Sequence, residues 1–234
     1  MEKIAAILGV GPGLGAAVAR RFAREGFAVG LLARNAKSLA PVQAELEASG
    51  ARALPIPCDA GDAASVAAAF ATLRHGLGHP GVLVYNAGAF VMGGILELDP
   101  ARFEAAWRAN CLGALLAAQQ ALPAMVADRS GTILLSGATG SLRGGARFAG
   151  LAVGKFGLRA LAQSMAREFG PQGVHVAHFV IDGQIASERT RQAGRAPEGV
   201  LDPDAIADTY WQTHNQHPSA WSLELDLRPS VEKF

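Results

Sequence analysis

Apolar residues along the chain follow two alternating rhythms. Short unbroken runs at Lys3–Gly9, Phe27–Ala33, Ala51–Pro57, Gly81–Tyr85, Thr132–Ser136 and Val174–Ile181 read as buried strands. Between them, apolar residues recur at steps of three and four, the spacing of one helix face. Leu14, Val18 and Phe22 form one stripe, with Arg20, Arg21 and Arg24 opposite. Val66, Phe70, Leu73 and Leu77 form a second, Phe103 with Trp107 opens a third, and Leu158, Leu161, Met165 and Phe169 form a fourth. Strands alternating with helices imply right-handed crossovers and a parallel sheet covered on both faces. The expectation is one α/β domain spanning residues 1–234, a doubly wound parallel sheet of about seven strands.

The last third departs from this rhythm. Asp202-Pro203-Asp204 has the form of a helix start, with Asp as N-cap and Pro at the first helical position. Ala220–Arg228 alternates, with Trp221, Leu223, Leu225 and Leu227 on one side and Ser222, Glu224, Asp226 and Arg228 on the other. That predicts a final strand, half exposed or packed against a partner subunit. Gln184–Val200 is rich in Arg, Gly and Ala without clear periodicity. It reads as a mobile loop over the site, with the 184–200 region handling substrate.

Composition narrows the function classes. The 21 Lys+Arg and 20 Asp+Glu leave a net charge of +1, without the basic footprint of a nucleic-acid binder. The 28 glycines suit tight turns around a buried sheet. Cys58 and Cys111 lie far apart with no paired His, so neither a disulfide framework nor a zinc site is expected, and a reducing cytoplasm is the expected location. The apolar stretch from Cys111 to Ala127 holds Gln119, Gln120 and Pro123 and falls short of the roughly 20 residues of a membrane span. No membrane association is expected.

Gly9-Val10-Gly11-Pro12-Gly13-Leu14-Gly15 follows the first strand and opens the first helix. Glycines there let backbone approach a pyrophosphate, which meets free N–H groups and the positive end of the helix dipole. The second strand ends Ala33-Arg34-Asn35. An acidic residue at that point would bond the ribose 2′-hydroxyl of NAD. Arg34 can instead pair with a 2′-phosphate, which favours NADP(H) with NAD possible. The other reading of Arg34 is an ordinary solvated arginine.

With these residues in place, the chain resembles the short-chain dehydrogenase/reductase family over nearly its whole length. Gly9-x-x-x-Gly13-x-Gly15 is similar to its T-G-x-x-x-G-x-G, with Leu8 in place of Thr. Cys58-Asp59 resembles the aspartate that contacts adenine, and Asn86-Ala87-Gly88 the N-A-G turn. Asn110-Cys111-Leu112-Gly113, followed by Leu122-Pro123-Ala124-Met125, resembles N-x-x-G…L-P-x-M. The resemblance implies a single-domain Rossmann fold and a dinucleotide held by Gly9, Gly11, Gly13, Leu14, Gly15, Arg34, Asp59, Asn86, Ala87, Gly88, Lys155 and Ile185. It also implies a homodimer or homotetramer built on the long helices around Asn110 and Lys155.

The same resemblance exposes a gap. The family places Tyr-x-x-x-Lys on one helix, where Lys lowers the Tyr pKa and holds the nicotinamide ribose. Tyr exchanges a proton with the substrate oxygen, an upstream Ser orients the carbonyl, and the motif Asn supports a water relay. Lys155 and Asn110 match this set, whereas Leu151 stands at the Tyr position and Ala138 at the Ser position. Thr139 and Ser136 are nearby hydroxyls, and Tyr85 and Tyr210 are the only tyrosines. The family's P-G after the sixth strand is Asp182-Gly183 here, which puts either a charge near the nicotinamide or simply a turn former. His75 with His79 lacks a third ligand, and His175 and His178 point to opposite faces of a strand, so no metal is expected. Two readings stand. One is an NADP(H)-dependent oxidoreductase acting on an unknown carbonyl/alcohol pair with an incomplete tetrad. The other is a non-catalytic NADP(H)-binding sensor or scaffold.

Overall fold

The computed structural model describes residues 3–231, the side chain of Arg189 aside. Seven strands form one sheet in the order β3-β2-β1-β4-β5-β6-β7, every neighbouring pair parallel. They are β1 Ile4–Leu8, β2 Ala28–Ala33, β3 Ala53–Pro57, β4 Val82–Tyr85, β5 Gly131–Ser136, β6 Val174–Ile181 and β7 Glu224–Leu227. The helices are α1 Leu14–Arg24, α2 Ala40–Ala48, α3 Ala63–Gly76, α4 Pro100–Trp107, α5 Gly113–Ala127, α6 Ala149–Phe169, α7 Glu188–Gln192 and α8 Pro203–His214.

Strand alternation sorts the core into two halves. Ile7, Val29, Val84, Leu134 and Phe179 face one side with Val18 and Phe22 of α1 and Tyr210 of α8. Leu8, Leu83, Tyr85, Ile133 and Leu135 face the other, with Phe70 of α3, Ala117 of α5 and Leu158 of α6. Near-continuous burial along β1, β4 and β6 is what a sheet covered on both faces requires. Strand order reverses between β1 and β4, and the crevice beyond the strand C-termini at such a switch point is where these sheets take ligands.

The strand expectations hold with trimmed ends, most of all at β7. Pro218–Ala220 forms a 3₁₀ turn and delays the strand to Glu224, where exposed Glu224 and Asp226 alternate with half-buried Leu225 and Leu227. Asp202 caps α8, its carboxylate accepting from Asp204 N at 3.0 Å. Gln184–Val200 carries more structure than its composition suggests. It contains α7, and Ser187 and Thr190 exchange side-chain-to-amide hydrogen bonds. Ile185 bridges Leu201 in parallel.

One helical feature escapes periodicity. α4 runs into α5 through a π-helical turn at Arg108–Leu112, so Pro100–Ala127 is a single helical stretch of 28 residues. This stretch reaches the length and apolar composition of a membrane span, which the Cys111–Ala127 run alone does not, as a core helix of this length also does. Here Ala114, Ala117, Ala121 and Met125 bury its face in the core of the domain.

Candidate active site and cofactor cleft

The turn from β1 to α1 is built by backbone. Gly9 adopts φ +101°, and a Cβ there would stand 2.4 Å from the amide nitrogen of Ala87. Only glycine fits, because that φ is strained for other residues and the Asn86-Ala87-Gly88 turn lies directly against it. Asn86 stitches the two turns together, its Nδ2 donating to the Gly9 carbonyl at 2.9 Å. Gly13 is the N-cap of α1, and no side chain caps the first-turn amides. A Cβ on Gly11 or Gly13 would meet nothing within 4 Å. Open space in front of uncapped amides is a cradle fit for an anionic group.

A cleft of about 620 Å³ extends from this cradle. Gly9, Gly11, Arg34, Asn35, Ser38, Asp59, Asn86, Ala87 and Gly88 line it. Arg34 is exposed at one end, directly after β2, and the Asn35 side chain accepts from Lys37 N at 3.0 Å. Asp59 is fixed by its own turn, its carboxylate accepting from Gly61 N at 2.9 Å. These residues fit a phosphorylated adenosine: a guanidinium for a phosphate, a carboxylate for an exocyclic amine, and glycines where backbone must come close. Leu14 opens α1 with its side chain buried in the core, so only its backbone belongs to the first-turn amides of the cradle. Ile185 sits at its bridge to Leu201, away from this lining. Arg102, Arg108 and Val91 also line the cleft and carry no sequence signal, since only the π turn and the loop after β4 bring them there.

Asn110 and Lys155 converge at the other end. The π turn buries Asn110, and its amide grips the backbone of Ala89: Nδ2 donates to the Ala89 carbonyl at 2.8 Å, and Oδ1 accepts from Ala89 N at 3.2 Å. On α6, Gly154 allows the helix to pass, since a Cβ there would lie 2.5 Å from Asn110 Cβ. Lys155 is buried, and its Nζ donates to the Ser136 carbonyl at 2.7 Å. Burial pushes its pKa down to about 8. A Cβ on Gly88 would stand 2.9 Å from Asn110 Oδ1 and 3.6 Å from Lys155 Nζ, so both side chains meet at the N-A-G turn.

Residues 3–197 match the short chain dehydrogenase family, more than three quarters of the chain. The chain belongs to that family. A short-chain dehydrogenase/reductase of Armillaria gallica is 32% identical over 180 residues, covering 76% of this chain and 69% of that protein. The 2-(S)-hydroxypropyl-CoM dehydrogenase 3 of Xanthobacter autotrophicus is 30% identical over 186 residues, covering 80% and 72%. Among solved structures, a short-chain dehydrogenase from Rhodopseudomonas palustris has TM-score 0.85 at 38% identity, covering 97% of this chain and 98% of that one. An alcohol dehydrogenase of the archaeon Thermococcus sibiricus, complexed with 5-hydroxy-NADP, has TM-score 0.90 at 26% identity, covering 100% and 99%.

For a short-chain dehydrogenase, the hydroxyls are oddly placed. Leu151 lies on α6 one turn before Lys155 and is half-buried. Ala138 sits at the start of the 3₁₀ turn Thr139–Ser141. Tyr210 is fully buried on the opposite face of the sheet from Lys155, its hydroxyl 2.8 Å from Ser136 Oγ. Ser136 therefore turns its hydroxyl away from the site and only its carbonyl toward Lys155. Tyr85 is also fully buried, and its hydroxyl donates to the Ala109 carbonyl at 2.6 Å, pinning the π turn from below. Burial raises the pKa of both phenols.

Past Ala138, the Thr139 hydroxyl donates to the buried carboxylate of Asp182. Arg228, after β7, approaches the same carboxylate at 3.4 Å. Asp182 thus ties the C-terminal ends of β5, β6 and β7 together. Sequence distance hides this cluster, since its members are more than forty residues apart. Among the described residues no group of three or more His, Cys, Asp or Glu side chains is arranged to hold a metal. Cys58 and Cys111 are free thiols, and burial with Asp59 and Asp62 nearby pushes Cys58 up to about 11, so it is not a nucleophile at neutral pH.

Proposed function

We propose that this chain is an NADP(H)-dependent oxidoreductase for a carbonyl/alcohol pair, working with an incomplete catalytic set. One observation carries the reading: Lys155 and Asn110 meet at Gly88, which lines a cleft that also holds Arg34 and the Gly9-Val10-Gly11 start of the glycine turn. The Thermococcus protein carries 5-hydroxy-NADP, and a metagenomic short-chain oxidoreductase of TM-score 0.85 and 28% identity is in complex with NADP. Both support the cofactor assignment. When bound, NADP(H) supplies or accepts the hydride.

The chain's own residues then divide the remaining work. Arg34 pairs with the 2′-phosphate and the α1 amides take the pyrophosphate. Asp59 faces the adenine. Lys155, an ammonium below pH about 8, holds the ribose with N–H donors that the Ser136 carbonyl leaves over. Asn110 is a positioning residue: both polar atoms of its amide hold Ala89, and through it the N-A-G turn. The 184–200 segment closes over the substrate. Leu151 and Ala138 provide no acid and no carbonyl donor, so turnover is slow. The protein works in the cytoplasm as a homo-oligomer. Leu115 of α5 and Val153 and Phe156 of α6 are exposed apolar side chains suited to that contact. Leu158 and Met165 of α6 are buried within the subunit instead.

A second reading, a non-catalytic NADP(H) sensor or scaffold, is favoured by the placement of both tyrosines in structural bonds. One experiment separates the two. The Leu151→Tyr/Ala138→Ser double variant restores a phenol one turn from Lys155 and a hydroxyl upstream. NADPH oxidation with a panel of ketones is expected to rise about 10²–10⁴-fold over a low but measurable wild-type rate. A zero wild-type rate and no gain in the variant, with NADPH still bound, would select the sensor reading.

A further inference from the structure

The loop after β4 and the segment before α6 meet in an unusual joint. Gly93 N donates to the Arg147 carbonyl at 2.9 Å, and the Arg147 guanidinium pairs with Glu97 at 3.0 Å. Gly150 abuts Val91, where a Cβ would stand 2.8 Å from the Val91 carbonyl oxygen. Arg147 itself holds φ +69°, a conformation costly for a residue with a side chain. The two segments are therefore fixed to each other rather than loosely adjacent.

What this joint fixes is apolar. Phe90 and Phe148 meet edge to face with centroids 6.0 Å apart, yet remain 63% and 37% exposed. Phe90 directly follows Ala89, the residue gripped by Asn110. Phe148 precedes α6, and its carbonyl accepts from Leu151 N at 3.0 Å, so Leu151 lies one turn further on. Phe90 and Phe148 thus form an exposed apolar wall, one residue from the turn that Asn110 holds and one helical turn from Leu151, which itself lies one turn before Lys155. Met92, Ile95 and Leu96, all exposed, follow Phe90 on the same loop. The charges at the joint, Arg147 and Glu97, neutralise each other.

We propose that this wall sets the substrate class: an uncharged carbonyl compound with a bulky apolar, preferably aryl, substituent that packs against Phe90, Phe148 and Leu151. The proposal rests on the reading of this site as a carbonyl site. An exposed apolar surface fixed by a strained joint beside a candidate catalytic lysine is what a ligand surface requires. Burying an aryl ring there yields affinity that a small or charged ketone cannot reach.

Calorimetry with 4-phenylbutan-2-one, butan-2-one and 4-oxopentanoate tests this on the intact protein, with and without NADPH. The aryl ketone is expected to bind at least about tenfold more tightly than the other two. Phe148→Ala should remove most of that preference, Phe148→Leu should keep part of it, and Phe90→Ala should weaken it independently. NADPH affinity should stay unchanged in all three. Equal affinities for the three ketones would overturn the proposal, as would tighter binding of 4-oxopentanoate. It would also fail if Phe148→Ala instead turned an oligomer into monomers by light scattering, which would make the wall a contact between copies. If the aryl preference appears but NADPH does not bind, the wall stands and the oxidoreductase reading falls.

Discussion

The two ends of the site have fared differently. At the nucleotide end every part supports the next: Gly9 fits against Ala87, Asn86 bonds the Gly9 carbonyl, and Asp59 is fixed by Gly61. At the other end Asn110 and Lys155 are in place, whereas the residues around them offer no obvious proton donor. Asn110 and Lys155 converge, yet Leu151 and Ala138, at the positions where the family resemblance places a Tyr and a Ser, carry no hydroxyl. On the proposed reading, Lys155 and Asn110 serve cofactor binding and turn geometry rather than proton transfer. Lys155 is held by the Ser136 carbonyl and Asn110 holds the Ala89 backbone, and neither contact requires proton transfer.

Breaking the nucleotide end should have the largest effect. Gly9→Ala forces a Cβ within 3 Å of the Ala87 backbone at a positive φ. A loss of NADPH affinity of about 100-fold or more is expected, with stability lowered by roughly 2–4 kcal/mol from strain and overpacking. Fluorescence titration with a parallel thermal melt reads both. An unperturbed Gly9→Ala protein would mean that the turn is looser than its geometry implies.

Next comes the charge at the far end of the cleft. On the proposed pairing with the 2′-phosphate, Arg34→Glu removes a charge-assisted hydrogen bond worth about 1.5–3 kcal/mol and adds repulsion. NADPH affinity should fall about 10–100-fold while NADH affinity holds or improves. Equal losses for both cofactors would place Arg34 outside the 2′-phosphate contact.

A smaller effect concerns the core rather than either end. Burial holds the pKa of His178 down to about 4 against the opposing pull of Glu224. His214 is likewise held to about 4, by burial first and then by His175 and Lys3. Between pH 6.5 and 4 the unfolded chain takes up protons that the folded chain refuses, so stability falls as pH drops through that window. Thermal melts at pH 7.5 and pH 5 should differ by on the order of 5–10 °C, the acid sample melting lower. A flat profile would mean that these imidazoles are hydrated in the folded state.

How much of this was legible in the residues alone follows from locality. β1, the Gly9–Gly15 turn and the start of α1 are contiguous, so pattern and motif together placed them to within a residue. The positions of Lys155 and Leu151 were equally plain, because one helix carries both. The π turn was hidden, since a single wider turn leaves the apolar stripe intact, and with it the reach of Arg102 and Arg108 into the cleft. Tyr210 could not be placed from sequence either. Its side of the sheet depends on how α8 docks on α1, a contact between residues nearly two hundred positions apart. The Thr139–Asp182–Arg228 cluster and the Phe90–Phe148 pair were missed for the same reason.

The contrast between the two ends reduces to one equilibrium measurement on the unmodified protein. Calorimetric titration with NADPH and then NADH should show one saturable site per chain, with NADPH favoured by about tenfold or more. A folded chain that binds neither cofactor would contradict the account.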